Sequence, residues 1–307
     1  MSDLTWRRLD GEIQECRVDD VLCDGISYVA LLDVMGDQYT PAEDARTSTN
    51  KGRLGPEKDA ALQARLMDDN HTSPFEGVVV KVEFMVPLFV LRELDRHRTL
   101  TKVSDEDELE LVTPEESGRK WFARNEMSGR YIQMPDLYYH PTVIREQSQK
   151  NKQGAADSGA VSDEIAREFL ERGRALCKEA RALYDWGVAN GIEKGLARIY
   201  NTQNQYTKIR LTGSLKNLFD FLSLRKPKVV LWECRQVARA LEEILDELFP
   251  EQMAYWLANV YDTVRFNRTE RKMVLDLWKR FWDVEDTRAL DPVAYEPILR
   301  KLEEERD

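Results

Sequence analysis

The stretch 77-GVVVKVEFMVPLFVLRELDRHR-98 contains both kinds of regular structure that this chain is expected to use. In 78–86 β-branched residues dominate, and the polar residues occupy alternate positions, so that they share one face of a strand. This pattern predicts one or two strands of a partly buried sheet. Pro87 ends that pattern, and three leucines then recur at helical spacing. The stretch therefore predicts a strand that leads directly into a helix, with an arginine-rich segment near the C-terminus of that helix.

Further segments of the chain have helical periodicity. Ser162 precedes two acidic residues, as expected of a helix N-cap, and Asn190-Gly191 is a typical stop for the same helix. Pro56 is a typical first residue for another. These helices are predicted at 56–70, 163–190, 214–225 and 229–249, with a further helical tail from about 252.

Two segments have neither the helical nor the strand periodicity of apolar residues. The small, polar residues of 151–162 predict a mobile loop, and the acidic run 102–119 predicts a solvated surface excursion. Because the predicted strands lie in the N-terminal third and helices fill the rest, we expect an α+β, helix-rich fold.

The bulk composition is that of an ordinary soluble globular protein, with 307 residues, 42% hydrophobic and 33% charged. The formal net charge of -11 argues against a nucleic-acid polymer as partner, because phosphate backbones are bound by surplus Lys and Arg. The four cysteines form no Cys-x-x-Cys pair, so we expect no metal site. The N-terminus lacks the apolar core of a signal peptide, and charged residues interrupt the most apolar run. We therefore expect a cytoplasmic protein with no membrane segment.

Arginines gather in two stretches that also hold hydroxyl and acidic side chains, 95-DRHRT-99 and 123-ARNEMSGRYI-132. The planar guanidinium fork suits a phosphate or a carbonyl-rich heterocycle. A candidate cradle for a small anion is formed by Arg96, Arg98, Arg130 and Ser128. No Ser-His-Asp or Cys-His nucleophile arrangement is recognisable. An enzyme built on this chain is therefore expected to rely on a cofactor.

The order of these motifs resembles that of the flavin-dependent thymidylate synthases, which methylate deoxyuridylate at carbon 5 without a catalytic cysteine. The similar segments run from about Ala45 to Phe249 and read H-x-S-P-F-E, R-H-R, N-E-x-S-x-R-Y, A-R and L-R before a Glu-containing helix. The resemblance implies a helix-rich fold around a central antiparallel sheet. It also implies a catalytic domain at 1–250, with an insertion at about 102–123, and a helical C-terminal extension at 251–307.

The resemblance assigns roles to individual residues. It implies that Arg225 contacts the uracil ring and favours its ionised form, which makes carbon 5 more nucleophilic. The implied nucleotide-binding residues are Glu93, Arg96, Glu126, Ser128, Arg130, Arg198 and Arg225. The implied flavin-binding residues are Ser48, His71, Ser73, Arg96, His97, Arg98, Glu126, Ser214 and Asp220.

The same resemblance implies FAD as cofactor, with methylenetetrahydrofolate and NADPH as co-substrates. It implies a homotetramer whose active sites combine residues from several subunits. We disfavour Ser128 as a covalent nucleophile, because no general base is evident beside it in sequence.

The chain departs from the family pattern at several positions. The 102–123 insertion splits the R-H-R and N-E-x-S-x-R-Y motifs, and Glu93 stands where a glutamine is usual. A carboxylate there would repel phosphate unless it accepts a sugar hydroxyl or pairs with an arginine. Ser214 and Asp220 replace two asparagines, and Gly77 replaces a histidine.

These departures leave three hypotheses open. The first is a methylase of UMP, dUMP or both, from the branch that serves nucleoside-antibiotic pathways such as that of polyoxin. The second is a housekeeping thymidylate synthase that makes dTMP from dUMP only. The third is an inactive paralogue that binds nucleotide or flavin without turnover.

Overall fold

The computed structural model describes residues 16–95, 122–149, 155–263, 266 and 268–282. Arg96, His97 and Arg98 lie outside the described residues, as does the 102–123 insertion apart from its last two positions. Within the described part of the chain, no helix has the length and apolar character needed to cross a membrane.

The strands of the described residues form a central antiparallel sheet and a small hairpin. They lie at Arg17–Asp19 (β1), Tyr28–Met35 (β2), Val79–Pro87 (β3), Phe122–Glu126 (β4), Arg145–Gln147 (β5), Ala155–Ala160 (β6) and Tyr206–Ser214 (β7). The order in the central sheet is β1-β2-β3-β7-β4, with every neighbouring pair antiparallel. The sheet that the resemblance implies is therefore confirmed, and β3 is the strand expected from 78–86.

Helices make up most of the remaining described structure. They lie at Thr40–Arg46 (α1), Pro56–Asp68 (α2), Leu88–Leu94 (α3), Asp163–Ala189 (α4), Lys194–Ala197 (α5), Leu215–Arg225 (α6), Trp232–Leu248 (α7), Pro250–Trp256 (α8) and Arg268–Trp282 (α9). Short helical turns lie at Thr47–Thr49, Ser73–Gly77, Arg198–Tyr200 and Leu257–Tyr261. The four helices predicted between 56 and 249 are confirmed, although α7 begins three residues later than its apolar pattern indicates.

One face of the central sheet carries the main core. Val80, Val82 and Phe84 of β3 are buried and pack with apolar residues of α6 and α7. Each fully buried side chain of this kind contributes about 1.5–3 kcal/mol, so this layer is the chief stabilising contact. It fixes α3 and α6, which carry predicted site residues, and α7 against the same core.

The segment 151–162 is not a loop throughout, contrary to the expectation from its composition. Ala155–Ala160 forms β6, which pairs with β5 and places Arg145 opposite Ala160. A ladder of backbone hydrogen bonds orders small residues whose side chains alone do not favour a strand. The predicted cap is present, since the Ser162 hydroxyl accepts a hydrogen bond from the Ile165 N–H at 3.4 Å.

The chain divides into two compact units, Met1–Tyr261 and Asp262–Asp307. Within the first unit, Met253 and Trp256 of α8 are buried in the main core. The second unit is represented among the described residues chiefly by α9. The first unit thus continues past the boundary at 250 that the resemblance implies.

Candidate active site

An ion-pair cluster joins the edge strand β4 to the C-terminus of α3. Arg124 Nη1 lies 2.6 Å from Asp95 Oδ2, and its Nη2 lies 2.6 Å from Glu126 Oε2. Glu126 also accepts a hydrogen bond from Thr207 Oγ1 at 3.2 Å. Burial raises the pKa of Asp95 above its usual value, despite the opposing effect of the Arg124 guanidinium. The two flanks of the insertion are therefore held together by Arg124, which bridges Asp95 and Glu126.

The loop after β4 brings three predicted nucleotide-binding residues together. The Arg130 N–H donates to Ser128 Oγ at 3.3 Å. A Cβ added to Gly129 would lie 3.0 Å from Arg198 Cδ, so the Arg198 side chain packs directly on this loop. A hydroxyl and two arginines on one loop and the segment packed against it are residue types that suit a phosphate group.

Glu93 and Arg225 lie in a second group, around the buried thiol of Cys234. Arg225 is the last residue of α6 and only 9% exposed. Burial is the main cause that raises the pKa of Cys234; the Glu93 carboxylate raises it further, and the Arg225 guanidinium opposes both. The thiol is therefore uncharged at neutral pH, and Glu93 and Arg225 approach it from two different helices.

A third group gathers predicted flavin-binding residues where the Ser73–Gly77 turn packs against α6. Lys216 Nζ lies 3.8 Å from Glu76 Oε1 and 3.5 Å from Asp220 Oδ2. Burial raises the pKa of Asp220, and the ammonium of Lys216 partly offsets this. Ser214 is the N-cap of α6, accepting a hydrogen bond from the Asn217 N–H at 3.3 Å.

Gly77 is in close contact with α1. A Cβ at this position would lie 1.8 Å from Asp44 Oδ2. The space that the family's usual histidine would need here is therefore taken by the Asp44 side chain. Glycine at 77 and aspartate at 44 form a matched pair.

Ser48 and His71 lie on exposed turns that flank the third group. Ser48 Oγ donates to the Ala45 carbonyl at 3.2 Å, in the turn that follows α1. The His71 backbone N–H donates to the Leu66 carbonyl at 2.7 Å. Since α1 also packs on the Ser73–Gly77 turn, Ser48 belongs to the same side of the protein.

These residues form a donor set that suits a flavin. The Lys216 ammonium and the Ser48 and Ser73 hydroxyls can donate to carbonyl or phosphate oxygens, and the carboxylates nearby can accept from N–H or hydroxyl groups. Among the described residues, no cluster of three or more His, Cys, Asp or Glu could hold a metal ion.

A cavity of about 1000 Å³ lies between α4, the β5–β6 hairpin and the start of α7, and the sequence motifs described above do not predict it. Glu233 Oε1 accepts hydrogen bonds from Tyr139 Oη and Arg145 Nη1, each at 3.0 Å. The Arg145 guanidinium also lies 4.3 Å from the ring centre of Trp232. None of the predicted site residues within the described part of the chain lines this cavity. A Trp-Glu pair in the first turn of an amphipathic helix is the one sequence signal that could have pointed to it.

A family model matches residues 30–251 of the chain and is described as "Thymidylate synthase complementing protein". The flavin-dependent thymidylate synthase of Thermus thermophilus is 34% identical over 275 residues, which cover 90% of this chain and 87% of that protein. The enzyme of the same name from Kosmotoga olearia is 31% identical over 225 residues, covering 73% and 86%.

Solved structures show the same fold. The UMP/dUMP methylase PolB from Streptomyces cacaoi, bound with 5-Br dUMP, superposes with a TM-score of 0.62 at 22% identity. The match covers 76% of this chain and 95% of that one. The complex of that methylase with 5-Br UMP gives a TM-score of 0.61.

Proposed function

This chain belongs to the flavin-dependent thymidylate synthase family, and from that premise we propose that it methylates carbon 5 of uridine monophosphates, UMP, dUMP or both. The observation that carries the proposal is the packing of Arg198 on the Ser128–Arg130 loop, which supports a phosphate cradle at this place. FAD is the proposed cofactor, with methylenetetrahydrofolate as one-carbon donor and NADPH as reductant. The proposed setting is the cytoplasm, and the proposed catalytic domain is 1–250, close to the end of the family match at residue 251.

In the proposed mechanism, Ser128, Arg130 and Arg198 bind the nucleotide phosphate. The Ser128 hydroxyl and both guanidinium groups donate hydrogen bonds to the phosphate oxygens, and the two cations neutralise its charge. Anchoring the phosphate limits the positions that the uracil ring can take in the site. Positioning of this kind lowers the activation free energy, because translational and rotational entropy is lost on binding and not in the chemical step.

Arg225 is proposed to activate the uracil ring. Its guanidinium stabilises negative charge on a ring carbonyl and nitrogen, which increases the electron density at carbon 5. Because Arg225 is buried, this interaction acts in a medium of lower effective dielectric than water. Bound flavin supplies the hydride that completes the methyl group. Cys234 takes no part as a nucleophile, because its buried thiol stays protonated.

Glu93 is proposed to favour substrates with a 2′-hydroxyl. The carboxylate approaches the Cys234 region from α3, as Arg225 does from α6, so both would face the nucleoside. A carboxylate accepts a hydrogen bond from a ribose hydroxyl, and UMP has one more hydroxyl than dUMP. The gain is on the order of 1 kcal/mol, which corresponds to a several-fold preference. A role in nucleoside-antibiotic synthesis is proposed on this basis.

The third group, around Lys216, is proposed to hold the flavin. Lys216 and Ser73 would donate hydrogen bonds to the flavin, and Asp220 would accept them. The residues proposed to lie at the edges of the flavin site are Ser48, His71, Ser214 and Glu126. Arg96, His97 and Arg98 complete the proposed flavin and phosphate contacts from the segment that follows α3.

The outer face of α4 is proposed to pack against a second copy of the chain. Phe169, Leu176 and Trp186 are 61%, 61% and 60% exposed. Phe169 and Leu176 also line the cavity beside α4, and all three side chains remain largely uncovered within their own chain. Large exposed apolar patches of this kind mark association surfaces. A homotetramer with shared active sites covers them.

The choice of substrate is tested by incubating the purified protein with UMP and with dUMP. Methylenetetrahydrofolate, FAD and NADPH are present, and the product is identified by mass. We expect methylated product from UMP at a rate similar to or above that from dUMP. In Glu93→Gln, the ratio of the UMP rate to the dUMP rate should fall several-fold. Product from dUMP alone supports the housekeeping synthase instead, and product from neither supports the inactive paralogue.

Sharing of the active site is tested by mixing two inactive variants. Arg225→Ala lacks the proposed uracil contact, and Arg198→Ala lacks one phosphate contact. If a site combines these residues from different subunits, mixed tetramers regain part of the activity. A mixture that stays as inactive as its components, although mass analysis shows exchanged subunits, contradicts shared sites.

A further inference from the structure

The residue that follows Arg225 is held by three separate elements. Lys226 is the C-cap of α6, and its side chain is only 12% exposed. Its Nζ forms an ion pair with Glu242 Oε1 of α7. The same Nζ lies 4.2 Å from the ring centre of Tyr261 and 5.1 Å from that of Trp256. An ammonium group over aromatic rings is attracted to their negative faces.

The aromatic rings of this clamp are themselves fixed to α6. Trp256 stacks on Phe219, with 5.5 Å between ring centres and 8° between ring planes. Trp256 also contacts Tyr261, with ring centres 5.0 Å apart. The last turn of α6 is therefore held on one side by α7 and on the other by the segment from α8 to Tyr261.

A helix end without such contacts frays, because its last carbonyls lack partners within the helix. Fraying at this position would move Arg225, which is the last residue of α6 and is joined to Lys226 by one peptide bond. A surface lysine would have little effect on its neighbour, but this one is largely buried and bound on two sides. The arrangement limits the movement of the α6 C-terminus at the residue that matters most for the proposed chemistry.

We propose that Lys226, clamped by Glu242, Trp256 and Tyr261, is a positioning residue that fixes Arg225 against the uracil ring. This inference rests on the proposed function, because it gives Lys226 its purpose through the role of Arg225. It also gives the C-terminal segment 250–261 a part in catalysis, although none of its residues is a predicted site residue.

The test compares three single variants of the full-length protein. Lys226→Met keeps the aliphatic stem but removes the charge, and Lys226→Arg keeps the charge. Lys228→Met makes the same change at an exposed lysine two residues along the chain. For each, kcat and the KM for dUMP are measured across pH, together with flavin content from the visible spectrum.

In Lys226→Met we expect kcat to fall about tenfold with an unchanged KM, because misplacement of a catalytic group affects the transition state more than ground-state binding. The acid limb of the kcat profile should move to higher pH, since a displaced Arg225 stabilises the ionised uracil less. Lys226→Arg should stay within about twofold of wild type, as should Lys228→Met. A loss of kcat by the same factor at every pH, with a matching loss of flavin, would show a merely structural role and overturn the inference.

Two further variants decide the matter if Lys226→Met does not fold. Tyr261→Leu removes the ring from the clamp, and Tyr261→Phe keeps it. Lower kcat in the first with wild-type kcat in the second supports the clamp, and equal kcat in both contradicts it. Arg225→Ala separates this inference from its premise. If that variant keeps full turnover, the proposed role of Arg225 fails; if it is inactive while Lys226→Met is normal, only the clamp fails.

Discussion

Replacing Asp59 with alanine should strongly destabilise the N-terminal part of the first unit. Asp59 and Arg46 form an ion pair in which the side chains are 1% and 9% exposed. Asp59 Oδ1 also accepts the Leu54 N–H at 3.2 Å. Loss of the carboxylate leaves the Arg46 guanidinium buried, with hydrogen bonds to the uncharged carbonyls of Gly52 and Lys58.

The magnitude follows from the cost of an uncompensated buried charge. Removing one partner of such a pair costs about 3–5 kcal/mol. For a protein of this size each kcal/mol lowers Tm by roughly 2–4 °C, so thermal unfolding should begin at least about 5 °C lower. Arg46 lies two residues before Ser48, so flavin content after purification should fall as well.

The pair also predicts a direction for pH dependence. Burial alone would raise the pKa of Asp59, but the Arg46 guanidinium and the N–H groups of Leu54 and Gly55 outweigh it and hold the pKa below its usual value. The resulting stability is present above the pKa of an unfolded aspartate and is lost as pH falls through the lower folded value. The difference in folding stability between wild type and Asp59→Ala should therefore disappear at acidic pH.

The matched control replaces both partners, as Arg46→Met with Asp59→Leu. Without a charge to bury, this double variant should recover most of the lost Tm. An Asp59→Ala protein whose Tm lies within about 1 °C of wild type would refute the reasoning, as would a double variant that is less stable than the single one.

Three further outcomes are expected. Ser162→Ala removes the N-cap of α4 and should lower the free energy of unfolding by about 1 kcal/mol in chemical denaturation. Gly129→Ala places a Cβ 2.9 Å from the Met134 side chain and 3.0 Å from Arg198 Cδ, so both side chains must shift and the KM for the nucleotide should rise several-fold while flavin content stays normal; an unchanged KM contradicts the phosphate cradle. Deleting 102–119 should leave the Tm within a few degrees of wild type, because the Asp95–Arg124 ion pair already joins the two flanks of the insertion. Aggregation of the deletion variant would show that the insertion packs at an interface.

Local patterns in the sequence predicted most of the fold. The strand at 78–86 and the helix after Pro87 were recognisable because each buries one face and therefore repeats its apolar residues with its own period. The Ser162 cap was recognisable because its hydrogen bond is local. β6 was missed because its order comes from pairing with β5, which the composition of 151–162 does not reveal.

The candidate site was predictable only where residues follow family motifs. Arg198 is far in sequence from Ser128 and Arg130, and the structure packs its side chain on Gly129 between those two residues. The Glu233–Arg145–Tyr139 cluster and the Lys226 clamp could not be predicted, because both depend on contacts between distant segments. The match between Gly77 and Asp44 was missed for the same reason.

The most direct test of the central claim is release of tritium from carbon 5 of labelled UMP or dUMP, with methylenetetrahydrofolate, FAD and NADPH present. Methylation must replace the hydrogen at carbon 5, so we expect wild type to release tritium in a reaction that depends on added or bound flavin. We expect no release by an Arg225→Ala protein whose oligomeric state is normal. Absence of release from both nucleotides by a flavin-loaded wild type would contradict the account, and so would full release by Arg225→Ala.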